Sequence, residues 1–288
     1  MPTPDAPPLG EDRITSFTRA GLTFDVRDTG PLEGDVVVLL HGFPQRAASW
    51  DQVAAHLHAA GFRTIAPDQR GYSPGARPIR RRDYALPLLA DDAAALLDAI
   101  GRPVHLVGHD WGAAVAWLVA GSHPAVRSLT SVSVPHPAAY LRAVAGPQLL
   151  KSWYVLLFML PRVTELMATR APARFVAQLL AFGMTDQEAD GVLRDVVAYG
   201  ALPGGLGWYR AIPLTGRRTR AMWQQKVSVP VTHVWSTGDT ALGRSTAELA
   251  ERWTTGPFEL VVLEGLSHWL PEQAPDVLAE VVLSRIEG

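Results

Sequence analysis

Residues 14–20 and 22–27 alternate between apolar and polar positions on either side of Gly21, the period-2 pattern of a hairpin. Residues 36–40 read Val-Val-Val-Leu-Leu without a break, which fits a parallel strand covered on both faces. Residues 47–60 repeat apolar positions at helical spacing and stop at Gly61. A strand is predicted over 62–66 and an amphipathic helix over 84–100, ended by Gly101. A short apolar strand follows over 104–107, then a small-residue helical pattern over 113–120. Residues 126–134 read as a further strand, stopped by Pro135. Strands alternating with helices in this way predict a doubly wound, mostly parallel sheet.

The alternation then breaks. Residues 137–222 are helical in pattern, rich in aromatics, broken by Pro and Gly, and hold no clear strand. It resumes with a strand over 229–236, a helix over 245–253, a strand over 258–263 and a terminal helix over 275–286. The expected organisation is a disordered Pro-rich N-terminus over 1–13, a sheet core over 14–136 and 223–288, and an inserted helical cap over 137–222.

Composition changes this picture little. The chain has 288 residues, 48% of them hydrophobic, enough for one sizeable core plus an accessory domain. A net charge of -2 gives no reason to expect nucleic acid or an anionic membrane surface as a partner. The longest apolar run, 153–161, is far shorter than the roughly 20 residues a membrane span needs. Arg80-Arg81-Arg82 reads as a solvated loop. The absence of Cys removes disulfides, Cys-based metal sites and a Cys nucleophile together, and fits a cytoplasmic location.

The chemistry gathers at Gly108-His109-Asp110-Trp111-Gly112, between the 104–107 strand and the helix that follows. A G-x-nucleophile-x-G turn in that context is the nucleophile elbow of an α/β-hydrolase. The two glycines let strand and helix approach closely, so the central residue projects alone. Here it is Asp110. A carboxylate attacks carbon without first losing a proton and forms an ester, which suits opening of a ring or a C–X bond at saturated carbon. The ester must then be hydrolysed by a base whose tautomer an acid holds. In this fold the order along the chain is nucleophile, acid, His. His268 follows the last strand, where such sheets place their sites. No Asp or Glu lies between Asp110 and Glu165, which empties the loop after the 126–134 strand of candidate acids. Asp239, in the loop after the 229–236 strand, is the remaining acid in a fitting position. The tetrahedral oxyanion on the ester calls for two backbone N–H donors. Trp111, at a helix N-terminus, and Phe43, in His41-Gly42-Phe43-Pro44, can supply them.

From about residue 15 onward the chain resembles the epoxide hydrolases of the α/β-hydrolase fold. The matching motifs are His41-Gly42-Phe43-Pro44, Asp68-Gln69-Arg70-Gly71-Tyr72-Ser73, the elbow, and Gly265-Leu266-Ser267-His268-Trp269. The resemblance implies no cofactor and no metal. It also implies two cap tyrosines that protonate the oxygen of the opening ring. Trp208-Tyr209-Arg210 matches the later one, and Tyr154 is the counterpart of the earlier, with Tyr140 as the alternative. Dehalogenases share the carboxylate nucleophile. They hold the leaving halide with a Trp after the nucleophile and often an Asn beside the oxyanion loop. This chain has Trp111 but no Asn. Fluoroacetate dehalogenases share His41-Gly42-Phe43-Pro44-Gln45 but follow the nucleophile with Arg and carry a cap His-Trp pair, where Trp111 and Ser152-Trp153 stand here.

The expected activity is therefore hydrolysis of a small apolar epoxide by water to a vicinal diol. A haloalkane or haloacid dehalogenase is the alternative enzyme, and a ligand-binding receptor on the same fold is the non-enzymatic one. The apolar residues of the helical segment, among them Trp153, Phe158, Met159, Phe175 and Phe182, favour an uncharged substrate.

Overall fold

The computed structural model describes residues 13–214 and 216–288. The expected N-terminal disorder over 1–13 therefore lies outside the described residues, apart from Arg13. The sheet has eight strands: β1 Ser16–Arg19, β2 Leu22–Thr29, β3 Val36–Leu40, β4 Arg63–Pro67, β5 Val104–His109, β6 Val126–Val132, β7 Val231–Ser236 and β8 Phe258–Leu263. Their order is β1-β2-β4-β3-β5-β6-β7-β8. β1 and β2 form the expected hairpin through Ala20 and Gly21, both at positive φ, and β2 pairs antiparallel with β4. From β4 to β8 all pairing is parallel.

The unbroken apolar run of β3 has a plain cause. Val36, Val38 and Leu40 enter the core on one face of the sheet, and Val37 and Leu39 enter the core on the other. Each such buried side chain contributes roughly 1.5–3 kcal/mol. Helices α1 Asp51–Ala59, α2 Leu86–Ile100 and α3 Trp111–Ala120 cover the faces, and Gly101 ends α2 in the left-handed region.

Between β6 and β7 lie α4 Pro137–Val144, α5 Gln148–Lys151, α6 Trp153–Met159, α7 Val163–Arg170, α8 Pro172–Ala181, α9 Asp186–Val192, α10 Leu202–Ala211 and α11 Arg217–Met222. No strand interrupts this stretch among the described residues. Buried His136 caps α4, its imidazole Nδ1 accepting the Ala138 N–H at 3.2 Å and its ring stacked on Trp253. Thr185 and Glu188 cap α9 reciprocally, an arrangement worth about 1 kcal/mol. The chain closes with α12 Arg244–Glu248, α13 Leu270–Gln273 and α14 Pro275–Glu287. α14 packs on α1. No helix among the described residues is long and apolar enough to cross a membrane.

Local boundaries differ from the sequence pattern in places: the helix expected over 245–253 is broken into α12 and a separate 3-10 turn, Ala250–Trp253, and the strand expected over 229–236 begins at Val231. β6 ends at Val132, two residues before the alternation does, because Ser133 turns to a positive φ of 64°. Arg80, Arg81 and Arg82 are all exposed, as expected of a solvated segment, and the Arg81 guanidinium also donates to the Arg210 carbonyl of α10.

Candidate active site

The elbow follows from its glycines. A Cβ on Gly108 would collide with the backbone of Gly112, and one on Gly112 with the backbone of Leu40. Asp110 sits between them at φ 51°, ψ -121°, a conformation that costs a non-glycine residue about 1–3 kcal/mol. Its own backbone N–H donates to Val132 at 3.2 Å, and its carbonyl accepts from Ala113 at 3.0 Å. The strand below and the helix above thus hold the strained turn.

Asp110 is buried, and its Oδ1 accepts the Phe43 N–H at 2.8 Å. Of the two backbone donors expected, Phe43 is the one seen on the carboxylate. The other expected donor, Trp111, is the first residue of α3. The Phe43–Pro44 bond is cis. His268 Nε2 lies 3.7 Å from Asp110 Oδ2, an ion-pair distance beyond a direct hydrogen bond. On its far side, His268 Nδ1 meets Asp239 Oδ2 at 2.8 Å. Asp239 Oδ1 accepts the N–H groups of Ala241 and Leu242, both at 2.8 Å. Burial alone would lower the His268 pKa, but the Asp239 and Asp110 carboxylates lift it to about 10. Burial likewise pushes the Asp110 carboxyl upward, yet His268 and the Phe43 N–H hold it below its ordinary value.

Two cavities meet at Asp110. The larger, of about 190 Å³, is lined chiefly by apolar side chains including Trp111, Leu141, Val155, Leu214 and Trp223. The smaller, of about 40 Å³, is lined by Phe43, Phe182, His268 and Trp269. Asp110, Tyr154 and Tyr209 line both. Burial above all raises the pKa of each tyrosine well above 10, helped at Tyr209 by the Asp110 charge and at Tyr154 by Tyr140 and then Asp110, so both stay protonated across the neutral range. The Tyr209 ring is gripped by Phe43, Phe158 and Trp111 at centroid distances of 5.1, 5.0 and 5.1 Å. Tyr140 lines the larger cavity too, but its hydroxyl donates to Ser152 Oγ at 2.9 Å.

The residues flanking Tyr209 have separate tasks. Trp208 Nε1 donates to the Arg70 carbonyl at 2.8 Å, and Arg210 makes a bidentate pair with Glu165 on α7 at 2.7 and 2.8 Å. One neighbour anchors α10 to the sheet region and the other to the insertion, which fixes the ring between them. The Asp68-Gln69-Arg70 segment braces the same region. Asp68 accepts the Ala47 N–H at 2.9 Å, and the Gln69 N–H donates to His41 Nε2 at 3.0 Å. His41 Nδ1 meets the Gly42 carbonyl at 2.9 Å, so this buried imidazole is neutral and carries its proton on Nδ1.

Sequence reasoning missed a buried polar chain behind His268. His109 Nε2 lies 2.9 Å from the His268 carbonyl, and its Nδ1 lies 2.9 Å from Gln45 Oε1. The Gln45 amide in turn bonds Glu272, whose carboxyl burial pushes up to about 8. The chain runs from the elbow to α13 and holds the His268 backbone. The only signals for it were a His inside the elbow and a Glu four residues after His268. Neither pattern separates a buried network from a surface loop.

The sequence pattern of the alpha/beta hydrolase family matches residues 37–281, and the chain belongs to that family. Several of its relatives carry the name epoxide hydrolase. It is 30% identical over 294 residues to the human protein named Epoxide hydrolase 4, covering 96% of this chain and 79% of that one. It is 31% identical over 279 residues to the AB hydrolase superfamily protein YfhM of Bacillus subtilis, covering 93% and 96%. The crystal structure of Epoxide Hydrolase A from Mycobacterium thermoresistibile superposes with a TM-score of 0.81 at 27% identity, covering 95% of this chain and 97% of that one.

Proposed function

We propose that this protein hydrolyses an apolar epoxide to a vicinal diol in two half-reactions. The core spans 14–136 and 223–288, and 137–222 is a cap that carries the acid groups. The observation behind this reading is the convergence of two buried, protonated phenols, Tyr154 and Tyr209, on the cavity junction at Asp110. A ring opening releases an alkoxide, which needs a proton; a departing halide does not.

In the first half-reaction an Asp110 carboxylate oxygen attacks a ring carbon. The C–O bond breaks, and the oxygen takes a proton from Tyr209 or Tyr154. The resting His268 cannot act as a base, because two carboxylates keep it protonated. Esterification removes the Asp110 charge, and the imidazolium returns its proton to the phenolate. His268, now neutral and oriented by Asp239, takes a proton from water, and the hydroxide adds to the ester carbonyl. The Phe43 and Trp111 N–H groups stabilise the resulting oxyanion. Collapse expels the diol alkoxide, which takes its proton from the His268 imidazolium. The new Asp110 carboxyl then gives its proton to the neutral His268, restoring the carboxylate and the imidazolium. No other group is required by these steps. The cavity volumes fit an epoxide with its bulk in the larger chamber and a small substituent, or none, toward His268.

The halide reading is disfavoured by the composition: the chain has Trp111 but no Asn to serve as the second halide donor that dehalogenases often place beside the oxyanion loop. Nothing disables turnover as a receptor would, since Asp110, Asp239 and His268 are in register. Tyr209→Phe keeps the ring packing and removes the proton donor. Single-turnover alkylation by an aryl epoxide should slow by roughly 10²–10⁴-fold, the usual worth of general acid catalysis. Release of halide from a simple haloalkane at rates matching epoxide turnover would overturn the reading. So would a Tyr209→Phe variant that opens epoxides at the normal rate.

A further inference from the structure

The acid of the site does not hold itself in place. Asp239 lies in a loop without regular structure between β7 and α12. Its Oδ1 depends on two backbone N–H groups, those of Ala241 and Leu242. The orientation of those peptide groups therefore decides where the carboxylate points and how it meets His268.

A residue of the insertion fixes them. Gln148, on α5, is buried at 1% exposure and uses both ends of its amide on this loop. Its Nε2 donates to the Ala241 carbonyl at 2.7 Å, and its Oε1 accepts the Gly243 N–H at 2.8 Å. These groups bracket Leu242. Lys151, one turn along, adds a bond from Nζ to the Asp239 carbonyl at 3.0 Å. The other side of the clamp reaches the substrate chamber. Gln148 Nε2 also lies 3.2 Å from Ser152 Oγ, which receives the Tyr140 hydroxyl. Tyr140 and Leu242 both line the larger cavity, and Ala241 lines the smaller.

We propose that Gln148 is a positioning residue through which the helical insertion sets the Asp239–His268 pair and thereby the rate of ester hydrolysis. The proposal rests on the roles given above to Asp239 and His268. Gln148 touches no reacting atom. It acts on the second half-reaction because only that step uses His268 as a base; attack by Asp110 does not.

Gln148→Leu keeps the volume and removes both bonds. Ester hydrolysis, followed as decay of the Asp110 adduct in single turnover, should slow by roughly 10- to 10²-fold, the scale of a small misplacement of a reacting group. Adduct formation should stay within about twofold of the unmodified protein. Gln148→Glu is the conservative counterpart. A protonated carboxyl can accept from Gly243 and donate to Ala241, whereas an ionised one has no donor for the Ala241 carbonyl. Its hydrolysis rate relative to the unmodified protein should therefore rise as pH falls, a trend that a mere packing defect would not produce. If Gln148→Leu fails to fold, this pH trend alone decides. Equal slowing of both half-reactions, unchanged ester decay, or a flat relative pH profile for Gln148→Glu would overturn the proposal. A second readout needs no epoxide. The His268 Nδ1 proton in its bond to Asp239 should give a low-field proton NMR signal in the resting protein, and in Gln148→Leu that signal should broaden and exchange faster. If the protein opens no epoxide yet the signal responds, the clamp stands and the substrate assignment falls; an unaltered signal sinks the clamp.

Discussion

Mixed with an aryl epoxide, His268→Gln protein is expected to gain the substrate's mass on Asp110 once and then stop. Glutamine preserves much of the space but cannot take a proton from water. Steady-state turnover should fall by on the order of 10⁴-fold or more, as when a member of a cooperating catalytic set is removed. Alkylation should survive, because the Phe43 N–H still holds the Asp110 carboxylate and the tyrosines still protonate the ring oxygen. It should be somewhat slower, since the imidazolium no longer favours an ionised Asp110. Intact-mass and peptide mass spectrometry of the folded variant would read the adduct directly. A folded variant that never acquires the mass would assign His268 to the attack itself and break the two-step scheme.

Asp110→Ala should show the complementary failure: no adduct at any time and loss of turnover of the same order or greater. The unmodified protein offers the sharper form of this test. In a single turnover carried out in heavy-oxygen water, the hydroxide adds to the ester carbonyl of Asp110. The label must then appear in the Asp110 carboxyl, while the first diol released keeps only its epoxide oxygen and one oxygen from the original side chain. Label found directly in that first diol would make Asp110 a base acting on water, and the covalent scheme would be wrong.

The sheet was legible in the sequence because its signals are local and doubled. The runs of β3 and β8 match the apolar pattern residue for residue, and Gly21, Gly61 and Gly101 fall at turns or helix ends where the chain reverses. The helical nature of the insertion was legible as well, but its division into short helices was not. Those boundaries depend on contacts such as the Arg210–Glu165 pair, which joins residues far apart in the chain. In the site, chain order and elimination led to Asp239 and His268, and the structure places them within hydrogen-bond reach. The choice between Tyr154 and Tyr140 could not be made from pattern, because it turns on where a hydroxyl points. Tyr140 spends its hydroxyl on Ser152, while Tyr154 opens on both chambers. Gln148, Gln45 and Glu272 left no usable signal. A glutamine holding a loop reads like any surface glutamine until the fold brings the loop to it.

The buried imidazoles have a consequence for acid tolerance. His41, His109, His136 and His233 are held neutral, with pKa values lowered by burial to about 4, 3, 3 and 4. In an unfolded chain each would titrate near 6.5. As pH falls below that value the unfolded state takes up four protons that the folded state refuses. Stability contributed by these groups is thus complete above pH 6.5 and drains away as the pH drops toward 4. Glu272 works the other way: its carboxyl is already protonated in the fold below about 8, so down to its unfolded value of about 4.5 it offsets one of the four. His268 is charged in both states over this interval and contributes no slope. A net uptake approaching three protons corresponds to about 4 kcal/mol lost per pH unit at its steepest. The melting temperature should therefore fall sharply between pH 6 and pH 4.5, and calorimetry in buffers of different ionisation heat should register proton uptake on unfolding. The packing that keeps these rings dry makes the domain a proton sponge once it opens, so that acid pulls it toward the unfolded state.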